Sequence, residues 1–355
     1  GAGNVGGGGN LGNRFLKPNT TSELELSLNA EFLDRFTFNG GYSRQDNRDQ
    51  ILSVPLSAVA GFSSQVQNAG TLETNTIELT LGYSAIRSRD MSLDFNLVWD
   101  RTRQTITEFN RPQQLVGYTI WKEGATLGVI AGQKLATSLD EVANQVPAGQ
   151  TLENYFTINR DGYVIRSGTE FTANERPFVV RDDAGAPSIE NIGDFNADFN
   201  MGINTTFRYK GLNVYMLWDT QVGGNTYFQG GQWMARDLLH PMFDQSMYPE
   251  GQQKYVAYFS SLYNVNNITS YWVEDSDYIR LRELAFNYTV NQQQLENLGN
   301  FGFIKGIKFG LVGRNLLLFS EYPGFDPEVG NALTRVDDFN YPLTRTFSGS
   351  IEFTF

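Results

Sequence analysis

A chain of 355 residues with 39 acidic against 27 basic side chains, a formal charge of −12, is poorly suited to nucleic acid, whose phosphates need clustered Lys and Arg. It has no cysteine, which excludes a disulfide framework and thiol chemistry, and its single histidine, His240, leaves little basis for a His-rich metal cluster or a Ser-His-Asp triad. Glycine (36) and aromatic residues (14%) are abundant, favouring strands and turns over helices, so the chain is either two soluble domains or one large β assembly. No run of 18 apolar residues offers a membrane-spanning helix, but barrel strands alternate and keep the mean hydropathy low.

The chain opens GAGNVGGGGN, without Met or a signal peptide, and reads as cut from something longer. Residues 1–20 are Gly- and Asn-rich and read as a loop. Leu24, Leu26, Leu28, Ala30 and Phe32 then alternate with polar residues, and after a tight turn at Leu33 and Asp34 so do Phe36, Phe38, Gly40 and Tyr42. A period of two is the mark of a strand, so this is a hairpin, its second strand running to about Leu52. A long polar connection is expected over 53–71. A second hairpin follows: Ile77, Leu79, Leu81 and Tyr83, a turn at 87–90, then Met91, Leu93, Phe95, Leu97 and Trp99.

Residues 110–194 read as one long irregular region, too long for an ordinary loop in a compact soluble domain, with a short helix over 138–144. Within it NRDGYV resembles a calcium-loop fragment, but the first and twelfth positions would be Thr157 and Gly168, so the essential carboxylates are missing. A polar turn with Gly162 at positive φ is the simpler reading. A third hairpin pairs Phe195–Tyr209 with Leu212–Trp218 across Lys210 and Gly211. A long aromatic-rich connection over 221–269 leads to a strand over 270–290, where Ile279 and Leu281 fall on one parity and Leu284, Phe286, Tyr288 and Val290 on the other. That phase change predicts a β-bulge near Glu283. Residues 291–305 form a medium connection, Ile307, Phe309 and Leu311 open an eighth strand, and 320–344 is another long loop. In the last stretch, RTFSGSIEFTF, Phe347, Ile351, Phe353 and Phe355 oppose Thr346, Ser348, Ser350, Glu352 and Thr354.

About nine strands result, and every second connection is long. One end of the sheet therefore carries the elaboration, as in barrels with short periplasmic turns and long extracellular loops. Glu23, Glu25, Glu31, Glu78, Asp94, Asp198, Arg208, Lys308 and Glu352 all fall on the polar parity, which suits a water-filled lumen. A soluble antiparallel sheet with one buried face produces the same alternation. It does not account for the one-sided loops or the terminal aromatic strand. The expectation is an all-β, antiparallel transmembrane barrel fragment of odd strand number, hence part of a larger barrel, because bacterial single-chain barrels are even.

Several segments narrow this further. YWVEDSDYIRLRELAFNYTV (271–290), VGRNLLLFSEYPGFDPEV (312–329), the YPLTRTF run before the last strand, NIGDFNADFNMGINTTFRYKGLNVYMLWDTQVGGNTY (191–227) and LKPNTTSELELSLNAEF (16–32) together resemble, in order, the SusC/RagA family of TonB-dependent outer-membrane transporters. Asn19 and Phe195 depart from the family's pattern, which has Glu and Pro there, and so does the degenerate NRDG segment.

The resemblance implies a barrel of about 22 strands with an N-terminal plug, of which residues 1–355 are the C-terminal portion, the plug and earlier strands being absent. It implies active import of large glycans or peptides across the outer membrane of a Gram-negative, Bacteroidetes-type cell. Implied partners are TonB, reached through the missing N-terminal part, and a SusD-like surface lipoprotein acting as a lid, with the lipid bilayer around the wall. No cofactor, no metal and no enzymatic activity are expected. A passive porin-like channel is the alternative. The aromatics Tyr227, Phe228, Trp233, Tyr248, Tyr255 and Tyr258 are candidates to stack on sugar rings, to meet the lid, or to pack their own loop. Asp326 and Glu328 of GFDPEV read first as a braced loop and second as a substrate or ion site. Trp99, Tyr209, Trp218 and Phe355 read as membrane-interface anchors, and His240 as a surface residue.

Overall fold

The computed structural model describes residues 9–299, 303–330 and 334–355. Its main sheet is an antiparallel meander whose neighbours in space are neighbours in sequence. The strands are β1 (Thr20–Phe32), β2 (Phe36–Pro55), β3 (Ser64–Arg87), β4 (Met91–Phe109), β5 (Phe199–Tyr209), β6 (Leu212–Val222), β7 (Tyr278–Asn291), β8 (Gly306–Phe319) and β9 (Thr346–Thr354). The sheet does not close. Among the described residues β1 pairs only with β2 and β9 only with β8, so both ends present unpaired backbone.

Alternation along each strand becomes two continuous faces because the register is kept from strand to strand. Ala30, Phe38, Leu81, Leu97, Ile203, Trp218, Leu281 and Leu317 stand side by side in one row. One residue along, Thr37, Gly82, Asn96 and Asn204 form a row on the opposite face. A slip of one residue would interchange the two faces, so the apolar pattern itself fixes the pairing. No second layer covers the apolar face over much of its extent: Leu26 (60%), Leu28 (62%), Leu311 (54%), Phe347 (72%) and Ile351 (61%) are all exposed. The buried core lies elsewhere, in the long connections.

The short turns have the conformation that tight hairpins need. Leu33 and Asp34 both take φ 53°, and Lys210 takes φ 51° before Gly211. Positive φ at a turn matches the right-handed twist of the flanking strands. The phase change in β7 is a bulge: Leu281 and Glu283 face the successive residues Trp218 and Leu217 of β6, leaving Arg282 as the extra residue, and the register to β8 shifts at the same place, from Leu281↔Leu317 to Glu283↔Arg314.

Several connections differ from the sequence reading. Residues 53–71 are not a loop, because β2 and β3 stay paired up to Pro55↔Ser64. One side of that ladder is buried, but Gln67, Ala69 and Gly70 occupy buried positions where large apolar side chains would mark a strand, so the alternation is weak; Val54, Ala69, Ile106 and Phe109 pack there under Leu127. The 270–290 strand is two strands. Val273–Asp275 pairs with Asn225–Tyr227, and β7 begins only at Tyr278. Residues 291–305 hold a helix, Gln292–Leu298, started by a capping box in which Asn291 and Gln294 exchange side-chain-to-backbone hydrogen bonds at 2.9 and 3.0 Å. The 110–194 region is folded, with Gln114–Val116, Thr119–Trp121, Val129–Gln133 and Ile189–Asp194 forming a small sheet. The helix expected over 138–144 is a 3-10 helix, Leu139–Gln145.

Candidate functional site

The long connections all leave the same end of the meander and pack into one assembly. Tyr227 and Phe228 lie at its centre, buried with Ile130, Phe195, Ala235, Ile268, Trp272 and Tyr322. Phe228 and Tyr322 meet edge to face with centroids 5.6 Å apart, a favoured geometry for rings. Burial pushes the Tyr322 hydroxyl's pKa up, helped by the neighbouring Asp337 carboxylate, so the hydroxyl keeps its proton and donates to Asp337 at 2.9 Å.

GFDPEV is docked on β7. Asp326 is buried and accepts from Arg280 at 2.5 Å, from the Glu328 amide at 3.0 Å and from the Leu343 amide at 3.2 Å. Glu328 is exposed and pairs with Arg282 at 2.7 Å; Arg282 also reaches Asp219. Both carboxylates are thus spent on arginines of β7. A buried pair of this kind fixes a loop more than it adds net stability, because desolvation offsets much of the attraction.

A second knot holds the NRDG turn. Gly162 takes φ 82°, and Asn159 Oδ1 accepts from the amides of Asp161 (3.1 Å) and Tyr163 (2.9 Å). Beneath it Lys254 is fully buried against Glu175, with Asp161 at 3.4 Å and the Tyr258 ring 4.2 Å from the ammonium. Tyr258 donates to Asp161 at 2.7 Å, and burial together with that hydrogen bond raises its pKa. An ammonium therefore stands among the carboxylates. Among the described residues no cluster of His, Cys, Asp and Glu could hold a metal ion.

The sequence-predicted residues fall into separate groups. Tyr227 and Trp233 reach one pocket, while Phe228 sits behind it in the core. Tyr258 belongs to the Lys254 knot; Tyr248 lies nearby, 3.9 Å beneath the Arg160 guanidinium. Tyr255 is exposed at the start of the helix Val256–Ser261. His240 is partly buried rather than a free surface residue, its ring between Phe228 and Trp272 and its Nδ1 accepting from the Met242 amide at 3.1 Å. On the wall, Trp99 lies 5.9 Å from Phe199, Tyr209 is half exposed beside Lys210, and Phe355 stacks on Phe303 at 5.3 Å. Trp218 stands opposite Ile203.

The pocket at Tyr227 and Trp233 has a volume of about 300 Å³. Its remaining polar wall is amide: Gln229, Gln232, Asn264, Asn266 and Asn267, with Tyr118 and Tyr263. Sequence reading for aromatic and charged residues passed over these amides, although the run NVNN at 264–267 was visible.

Over most of its length this arrangement has known counterparts. The chain is 25% identical over 374 residues to TonB-dependent receptor P3 of Formosa agariphila, covering 97% of this chain and 35% of that protein. It is 23% identical over 384 residues to TonB-dependent receptor P26 of the same organism, covering 98% and 36%. Among solved structures the RagAB peptide transporter superposes with TM-score 0.68 at 19% identity, over 95% of this chain and 35% of that one. Its open-open state gives TM-score 0.70 at 17% identity, over 98% and 36%. The chain is thus similar over nearly all of its length to TonB-dependent receptors, and its fold is similar to that of RagAB. No protein-family model matches it. The chain spans about a third of the length of the curated relatives it matches.

Proposed function

We propose that this receptor chain is the C-terminal part of the wall of a larger barrel that imports large nutrients, glycans or peptides, across the outer membrane. The observation that carries the reading is the meander itself: one face uncovered and apolar, the other polar, with the folded connections at one end. Lipid is the medium that such an uncovered face fits, and a sheet with every backbone group paired can cross it.

Tyr209 and Phe355 at the short-turn end, and Trp99 and Trp218 nearer the loops, serve as the two aromatic girdles. Met201 faces Trp99 and Tyr209 faces Met91, so the levels are eight residues apart along β5, about 26 Å of strand and roughly 20 Å across a tilted wall. β2, β3 and β4, with 20, 24 and 19 residues, exceed the roughly 10 needed to cross and so stand above the membrane. The strands and plug that complete the barrel lie outside this chain. TonB acts through those parts, and a SusD-like surface lipoprotein covers the loop end.

The test is energy dependence in cells. With this gene intact, depletion of oligomeric nutrients from the medium, followed by untargeted mass spectrometry, should stop when TonB is removed. Depletion that continues at the same rate without TonB would mean a passive porin-like channel and end the active-transport reading.

A further inference from the structure

The Tyr227–Trp233 pocket is uncharged. In a chain with 19% charged residues, none of its lining residues is Asp, Glu, Lys, Arg or His. Its polar groups are instead side-chain amides, each of which both donates and accepts, as a sugar hydroxyl does. Trp233 forms one wall, held by Phe339 with centroids 5.8 Å apart, and Tyr118 forms another, edge-on to Tyr227 at 5.2 Å. These are flat apolar faces beside adaptable hydrogen-bonding groups.

The back of the pocket is preorganised. Tyr227 donates to Gln232 Oε1, Gln232 Nε2 donates to the Asn264 carbonyl at 3.4 Å, and Asn264 Nδ2 donates to Gln133 Oε1 at 2.9 Å. Asn264 Oδ1 also accepts from the backbone amides of Asn266 (2.8 Å) and Asn267 (3.1 Å), which sets that turn at the mouth. The side-chain amides of Asn266 and Asn267 make no hydrogen bond among the described residues. The site therefore has a fixed floor and unspent donors and acceptors at its rim, in a volume at the lower end of the range for small-molecule sites.

We propose that this pocket binds a neutral carbohydrate, a sugar ring lying against Trp233 with its hydroxyls held by Gln229, Asn266 and Asn267. A uronic-acid or sulfated sugar would bring an anion to a pocket whose nearest cation, Arg236, 5.8 Å over the Trp233 ring, is already held by both carboxylate oxygens of Asp237, so the anion would be desolvated without a free partner. A peptide would bring charged termini and side chains to a lining that has no charged residue of its own, the flanking Arg236 and Asp237 being paired with each other. The assignment rests on the import reading, since it names the cargo class that the loops receive.

The experiment is a binding screen on the intact receptor in detergent. The probes are a glycan array of neutral, uronic-acid and sulfated oligosaccharides, with short peptides as comparators, followed by calorimetry on whatever binds. A neutral oligosaccharide should saturate the receptor, and Asn266→Asp at the exposed rim should weaken it about tenfold or more, with the fold intact by circular dichroism. Trp233→Phe should lose less than Trp233→Ala. Binding of acidic glycans or peptides alone, no saturation by any neutral glycan, or indifference to all three substitutions would overturn the proposal. The readouts separate it from the import reading: TonB-dependent uptake of peptides without carbohydrate binding removes only the cargo assignment. Carbohydrate binding with TonB-independent uptake removes only active transport.

Discussion

His240, the only histidine in the chain, stands at the start of a short 3-10 helix, Pro241–Phe243, and its neutral ring does the capping. Nδ1 can accept from Met242 only while it carries no proton. Burial lowers its pKa from the ordinary value of 6.5. The folded loop thus binds fewer protons than the unfolded one, and its stability is complete above pH 6.5 and falls as pH drops toward the depressed value. Hydrogen exchange across 238–244 should therefore be faster at pH 5 than at pH 7 after correction for the intrinsic rate. His240→Asn keeps an acceptor at the cap and should flatten that difference. Equal protection of the native loop at both pH values would show that the ring is not coupled to the loop. The residue was legible as a loop histidine before Pro241; the rings of Phe228 and Trp272 that bury it come from elsewhere in the chain and were not.

At the scale of the strand, Leu97 and its neighbour Asn96 discriminate between a lipid-facing wall and an ordinary half-buried sheet. Leu97 sits mid-strand between Leu81 and Ile203, Asn96 between Gly82 and Asn204 on the opposite face. In a barrel, Leu97→Arg, between the Trp99 level and the midplane, should cost up to roughly 2–4 kcal/mol of folding into bilayers, the most a cation costs at the midplane, while Asn96→Arg should cost far less. Urea titration of the intact receptor in lipid vesicles reads the difference directly. Equal costs at the two positions would place both faces in the same medium. The hairpins and the Arg282 bulge were readable because one face of each strand is apolar and breaks in phase are visible. The upper ladder of β2 and β3 was not, since its buried side carries small or polar residues such as Gln67, Ala69 and Gly70, and the Val273–Asp275 strand was hidden because its partner, Asn225–Tyr227, lies far back along the chain.

For the whole molecule, the open edges decide behaviour. All of β9 and nearly all of β1 are exposed on both faces, and their outer backbone groups have no partner among the described residues. Such edges invite pairing with another strand. The 355 residues refolded alone into detergent should associate through β1 and β9 and show no heat-modifiable monomer on electrophoresis, whereas the intact receptor should. A heat-modifiable monomer from this chain alone would mean that β1 and β9 can close on each other, and that the larger barrel is unnecessary.

By itself the sequence determined the strand faces, the short turns and the order of the meander, because these follow from a period of two and from neighbours in the chain. Resemblance in five collinear segments, from LKPNTT to YPLTRTF, carried the likeness to TonB-dependent receptors as well. The tertiary structure alone decided which loop aromatics are core and which line a pocket. Phe228 and Tyr258 look alike in sequence to Trp233 and Tyr255. What separates them is contact with residues far along the chain, such as Ile130, Tyr322 and Asp161. The carboxylates of GFDPEV likewise became structural only when Arg280 and Arg282 of β7 met them, a pairing that depends on where the loop lands on the sheet.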